Sequence, residues 1–148
     1  MYEKYHRCWY LMILSERDLD DSQSKLDHIL TELTKTTISL KQDITGKGSL
    51  SDKMGKLIAS KLDLEAVIKS QTTLYNSRKK RMKKELKKLK ASNNVFDIIY
   101  KRKFIDKEKV TEIAKGVHYT REYTYELISQ IRAKIKEIQD TEREKYKR

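Results

Sequence analysis

The sequence predicts an all-α protein on three observations: it has no proline, it is rich in Lys, Glu, Leu and Ile, and charged residues (38%) outnumber hydrophobic ones (37%). Proline would remove a helical hydrogen bond and clash with the preceding turn, so its absence permits very long helices. The four glycines, Gly46, Gly48, Gly55 and Gly116, leave few interruptions. So lean an apolar content suits long solvated helices. At 148 residues the chain is one ordinary domain, or a small domain with an extended arm.

The first helix is expected from Tyr5 to beyond Leu40, on a seven-residue repeat of Tyr5, Met12, Leu19, Leu26, Leu33 and Leu40. A second, half-polar seam reads Trp9, Glu16, Gln23, Leu30, Thr37 and Ile44. Together they describe an amphipathic helix that packs in a coiled-coil manner. Gly46-Lys47-Gly48-Ser49 ends it, and Ser51 or Asp52 is available to cap the next helix. That second helix should run from about Asp52 to Ala91 on Met54, Leu57, Ile58, Leu64, Val67, Ile68, Leu74 and Tyr75, then Met82, Leu86 and Leu89. Two helices of ~60 Å joined by a short glycine loop favour an antiparallel hairpin. A lone hairpin offers little core, so self-association is expected, with Trp9, Met12, Leu19, Leu26 and Leu33 as the oligomer or partner positions.

Ser92-Asn93-Asn94 is a polar interruption with capping chemistry and the expected hinge. It divides the chain into an arm, residues 1–91, and a C-terminal module, residues 92–148. Three helices fit the module, about Asn94–Lys103, Lys107–Lys115 and Arg121–Asp140, with a fraying charged tail from Thr141 to Arg148.

The net charge is +12, and it is unevenly spread. Residues 1–70 hold 11 basic and 11 acidic side chains, whereas residues 71–148 hold 23 and 11. The C-terminal half therefore suits a polyanionic partner, since Lys and Arg contacts to phosphate release condensed counterions. The alternatives are a basic surface that aids solubility or, less well supported, an anionic membrane surface. One cysteine, Cys8, excludes an intramolecular disulfide and suits a reducing cytosol. The apolar run Trp9–Leu14 is too short for a signal peptide core and lacks a cleavage site; hairpin core, dimer seam and partner site are its three readings. No stretch approaches the ~20 apolar residues of a membrane span, so a soluble, intracellular protein without membrane partners is expected.

Signals for chemistry are poor. Gly46-Lys47-Gly48-Ser49 lacks the spacing of a phosphate loop and has no strand before it. His6, Cys8 and His28 have no metal-ligand spacing, and no nucleophile or carboxylate pairing suggests catalysis. The chain is expected to be no enzyme and to need no cofactor.

One stretch does follow a functional pattern. Val110 to Leu127 reads as a helix-turn-helix: Ile113 points inward, Ala114 is small where helices cross, Val117 plugs the turn and Thr120 can cap the second helix. Thr124, Leu127 or Ile128, Ile131, Ile135 and Ile138 form its inner stripe. His118 stands where glycine is common because the turn often needs a left-handed residue. Arg121, Glu122, Tyr125 and Glu126 are left outside at the start of the second helix. Arg121 can donate two bonds to guanine, Glu122 can accept from cytosine, and Tyr123 and Tyr125 can touch a thymine methyl or a phosphate. Lys115, His118 and Tyr119 at the turn suit backbone contacts. The run Arg78-Lys79-Lys80-Arg81-Met82-Lys83-Lys84-Glu85-Leu86-Lys87-Lys88-Leu89-Lys90 has nine bases to one acid. It reads either as a phosphate-tracking segment or as a solvated face whose lysine stems cover apolar neighbours.

Thr120-Arg121-Glu122, with Ile113-Ala114 before and Ile128 to Ile135 after, resembles region 4 of bacterial sigma factors. Ser51–Ile58, Leu62–Glu65 and the Ile98–Phe104 approach extend the likeness to small phage-encoded late-transcription regulators of the RinA/ArpU/LtrC type, over about residues 50–138. The resemblance implies promoter-reading positions at Arg121, Glu122, Tyr123, Tyr125 and Glu126, of which Arg121 and Glu122 keep the common sigma-type residues. It also implies a regulator, an activator of late packaging or structural genes of a phage or phage-related island. Its partners would be promoter DNA, RNA polymerase and a second copy of itself or a regulatory protein, in a bacterial cytoplasm. The alternative from another class is a coiled-coil adaptor or inhibitor that seizes a protein through residues 1–91.

Overall fold

The computed structural model describes residues 1–42 and 47–148. Helix α1 spans Tyr2–Gln42, α2 Lys47–Ala91, α3 Val95–Tyr100, α4 Val110–Val117 and α5 Arg121–Tyr146, with a π-helical segment Lys101–Ile105 continuing α3. The all-α expectation holds: among the described residues there is no strand. The chain divides into two compact units, Met1–Ile13 with Ser77–Arg148, and Leu14–Asn76. Both boundaries fall inside the long helices, so Met1–Ile13 and residues 77–91, both parts of the expected arm, group with the C-terminal helices.

In the unit Leu14–Asn76, α1 and α2 run antiparallel: Tyr75 reaches Glu16 (Oη to Oε1, 3.5 Å), while Lys53 reaches Glu32 (3.7 Å). The expected first seam is covered, with Leu19, Leu26 and Leu33 half-buried. The second seam lies one residue earlier than expected. Ser15, Ser22 and Thr36 are buried and Ile29 half-buried, whereas of the expected seam Glu16, Gln23 and Leu30 are exposed and Thr37 is half-buried. Small side chains let a facing helix approach closely enough to cover them, and the Thr36 hydroxyl donates to the Glu32 carbonyl (2.8 Å). On α2 the covered positions Met54, Leu57, Lys61, Leu64, Ile68, Gln71 and Tyr75 alternate by three and four residues, the spacing of a coiled-coil seam, with Thr72 half-buried beside them. Ile58, Val67 and Leu74, expected in the stripe, are exposed. Helix α2 begins at Lys47, ahead of the expected cap at Ser51 or Asp52, because glycine weakens a helix by only about 1 kcal/mol without forbidding it. Gly46, Ile44 and the side chain of Leu40 lie outside the described residues.

The unit Met1–Ile13 with Ser77–Arg148 holds the apolar core. Ile99, Ile113 and Ile131 are fully buried, with Ile128, Leu89, Tyr2, Tyr5, Tyr100, Val110 and Leu127 around them. Trp9, Met82, Leu86 and Phe104 pack against this cluster half-covered. The start of α1 is fixed through Asp97, whose carboxylate accepts from the Tyr2 backbone N–H (2.8 Å) and the Ser92 hydroxyl (2.6 Å). Asn94 caps α3, accepting from the Phe96 N–H (2.9 Å), so the polar interruption behaves as a bonded corner. The tail does not fray where expected: α5 continues to Tyr146. Arg7 pairs with the buried Glu142 (3.2 Å), and the Arg78 guanidinium lies 5.3 Å over the Tyr146 ring. Among the described residues no helix is long and apolar enough to cross a membrane.

Candidate nucleic-acid interface

The turn between α4 and α5 is built as its sequence dictates. His118 is left-handed (φ 59°, ψ 36°), and its N–H donates to the Lys115 carbonyl (3.3 Å) while the Tyr119 N–H donates to Ala114 (3.1 Å). This pair of bonds is the Schellman arrangement, which satisfies carbonyls that a helix end would otherwise strand. Thr120 then adopts an extended backbone, and its hydroxyl oxygen accepts from the Tyr123 N–H (3.2 Å), capping α5. Ile113 and Ala114 are buried and Val117 half-buried against the core, as the pattern requires. Thr124 is fully buried; its hydroxyl donates to the Thr120 carbonyl (2.8 Å), so its polar atom is satisfied inside. The inner stripe then runs through Leu127, Ile128, Ile131, half-buried Ile135 and Ile138.

Every outward residue named from the pattern is exposed: Lys115, His118, Tyr119, Thr120, Arg121, Glu122, Tyr123, Tyr125 and Glu126. Their side chains are organised among themselves. Tyr119 and Tyr123 meet edge to face at 5.1 Å, and the Arg121 guanidinium lies 5.6 Å over the Tyr125 ring. A hydrogen bond with Tyr125 raises the proton affinity of Arg121 further, so it is a fixed cation. Lys115 approaches Glu112 at 3.8 Å. His118 and Thr120 contribute backbone shape and a cap, leaving Arg121, Glu122, Tyr125 and Glu126 with the protruding first turns of α5. An exposed cation stacked on a ring can still turn one edge of its guanidinium outward to oxygen acceptors.

The basic run on α2 is divided by its contacts. Arg78 is half-buried and donates to the Leu11 carbonyl (3.1 Å), and Lys88 pairs with Glu85 (3.0 Å). Lys79, Lys80, Arg81, Lys83, Lys84, Lys87 and Lys90 are exposed, while Glu85 and Leu89 between them are buried. Arg78 is thus engaged in packing, while the other eight bases of the run are exposed, Lys88 among them in its pair with Glu85.

Two features escaped sequence reasoning. Arg102 on the π-helical segment donates to Glu108 (Nε to Oε2, 2.9 Å), and its guanidinium lies against Gly116, where any Cβ would collide with it. Gly116 leaves room for this guanidinium, the movable end of a flexible side chain, and a lone glycine inside a helical pattern was the only hint of it in the sequence. The π turn itself, closed by Asp106 N–H to the Lys101 carbonyl (2.9 Å), ends at left-handed Lys107 (φ 59°).

The second feature is aromatic. Tyr100 stacks on Tyr2 (5.2 Å) and Phe104 (5.3 Å) and meets Tyr5 and His6 edge-on. His6 is buried with both ring nitrogens engaged, Nδ1 with the Tyr100 hydroxyl (2.8 Å) and Nε2 with the Gln139 amide (3.0 Å). Burial lowers its pKa to about 4, so it is a neutral packing group. The tyrosine and histidine spacing at Tyr2, Tyr5, His6 and Trp9 was the signal available for this cluster. Cys8 is buried and its thiol is pushed up by that burial. Among the described residues no group of three or more His, Cys, Asp or Glu is placed to hold a metal ion. No family model, curated protein or solved structure matches the chain.

Proposed function

We propose that the protein is a sequence-specific, non-enzymatic DNA-binding regulator of transcription that reads duplex DNA with the first turns of α5. The observation that carries this reading is the α4–α5 corner: a left-handed His118, a Thr120 cap and a buried Ile113–Ala114 crossing hold Arg121, Glu122, Tyr125 and Glu126 outward. Such a corner suits a helix laid in the major groove, and the excess of basic residues in the same half of the chain supplies the phosphate attraction. The proposed roles are Arg121 to a guanine edge, Glu122 to a cytosine amine, and the tyrosine pair Tyr119 and Tyr123 beside the backbone. The likeness to phage late-transcription regulators extends the proposal to an activator of phage or island packaging and structural genes. In that setting RNA polymerase is the protein partner, the chain self-associates, and the compartment is the bacterial cytoplasm.

Selection from a random duplex library, followed by gel shifts across a salt series, tests the reading. The expected result is an enriched motif bound below ~10⁻⁷ M at physiological salt. Arg121→Ala should weaken binding by ~1–3 kcal/mol and relax one base position. Failure to enrich any motif overturns it. The second reading, an adaptor that grips a protein through residues 1–91, draws on Leu30, Ile38, Ile58, Leu62, Val67 and Leu74, all apolar and exposed. It predicts capture of one protein without DNA preference.

A further inference from the structure

We propose that the cleft formed by the start of α1, the π-helical segment and α5 binds a small organic anion with a flat apolar body, of the aryl carboxylate class. All of its lining belongs to the unit that contains the core. The cleft measures about 650 Å³, within the ~300–1,000 Å³ of small-molecule sites. Its interior is aromatic, built from Tyr5, His6, Trp9, Tyr100 and Phe104. Rings accept a flat apolar body by offset or edge-on stacking and leave little for water to bond. His6 has both nitrogens taken by Tyr100 and Gln139, so it offers a ligand no spare donor.

The charge of the lining selects the ligand. Lys107, Arg132 and Lys136 stand at the cleft, and no carboxylate lines it. Among the described residues none of these three cations enters an ion pair, although Arg102, Lys134 and Lys145 nearby in sequence all do. Lys107 is held by its left-handed backbone at the exit of the π turn, and Arg132 and Lys136 are one turn apart on α5. A carboxylate at the mouth would meet a planar guanidinium suited to two parallel hydrogen bonds, with ammonium groups beside it. A neutral ligand would satisfy the rings and leave the cations unanswered.

Trp9 is the chain's one tryptophan and lines the cleft, so it reports on occupancy. The full chain carrying fluorotryptophan at Trp9 would be titrated with 1-naphthoate and with neutral 1-naphthalenemethanol, following the ¹⁹F resonance, with calorimetry for stoichiometry. The expected result is saturable one-to-one binding of both, with the acid about tenfold tighter, the worth of one charge-assisted contact. Arg132 and Lys136 are exposed, so the double variant Arg132→Gln, Lys136→Gln keeps the fold. It should remove the preference and leave the alcohol's affinity unchanged, whereas Phe104→Ala should weaken both ligands. Equal affinities for acid and alcohol, a preference that survives the double variant, or no saturation up to about 1 mM overturns the proposal.

Discussion

The two units are made from the same two long helices, yet they bury different things. In the unit with α3–α5, Ile99, Ile113 and Ile131 have no exposure and Ile128 has 1%. In the unit Leu14–Asn76 the buried positions among the described residues are Leu14, Ser15, Ser22 and Thr36, of which only Leu14 is apolar. Large hydrophobics lie in the open there, Leu62 at 59% and Ile38 at 50%. The difference is geometric. A helix facing one partner covers a single narrow stripe, whereas helices surrounded by three or more neighbours cover a broad apolar arc. Function that needs fixed geometry belongs with the second kind of packing, and the α4–α5 corner and the aromatic cleft both sit there.

The largest test of this contrast is truncation of matched aliphatic side chains. Ile131→Ala and Ile113→Ala should each destabilise by about 2–5 kcal/mol, since both the transfer energy and a cavity are incurred. Leu26→Ala and Leu64→Ala, only half-covered, should lose about 1 kcal/mol. Urea unfolding followed by circular dichroism and Trp9 emission measures both. Equal losses in the two sets would mean that the Leu14–Asn76 unit has a core of its own.

His6 supplies a second contrast, because only the cored unit buries a histidine: His28 in the other is exposed. The groups facing His6 are the Tyr100 hydroxyl, the Gln139 amide and the Trp9 ring, with Tyr5, Arg132, Lys136 and Lys107 around the same cleft. Its folded pKa is about 4 against the ordinary 6.5. Between those values the unfolded chain takes up a proton that the folded chain refuses, so stability is full above pH 6.5 and is lost as pH falls toward 4. At ~1.4 kcal/mol per tenfold change in proton affinity, the loss approaches about 3 kcal/mol. Denaturation from pH 7 to 4 should show this slope in the native chain and its removal in His6→Gln; His28→Gln should leave it intact.

Smaller effects probe the corner itself. Thr120→Ala removes the α5 cap and should lose about 1 kcal/mol. His118→Gly relieves a left-handed non-glycine residue and should gain up to about 1 kcal/mol. Opposite signs two residues apart, read by thermal unfolding, are the signature of this turn; losses at both positions would contradict it.

The corner was legible because it rests on local rules. Thr120 before a helical stripe, a small Ala114, and His118 at a turn each act over a few residues, and each took its expected place. The aromatic cleft was not legible, since it joins His6 to Tyr100 across 94 positions of chain. The second α1 seam lies one residue from its expected place for a different reason. Periodicity counts apolar side chains, and Ser15, Ser22 and Thr36 are buried by their smallness. The charges of the tail predict a solvated, fraying end, whereas Glu142 is covered and paired with Arg7 from the start of α1.

The smallest expected effect is the one that decides what the sparse unit is for. Leu62 is 59% exposed on α2, so in a chain that stands alone Leu62→Ser should shift stability by no more than about 0.5 kcal/mol. Ile58→Ser, at 44% exposure one turn away, should behave alike. If a second copy covers this surface, the same substitutions remove interface area, and the melting temperature becomes dependent on protein concentration. Light scattering across a dilution series, paired with melting curves of the native chain and Leu62→Ser, separates the two cases. Self-association predicts that the native chain melts higher when concentrated and that the variant loses this dependence. A native melting temperature independent of concentration would make the open apolar face a property of the single chain and remove the expected oligomer.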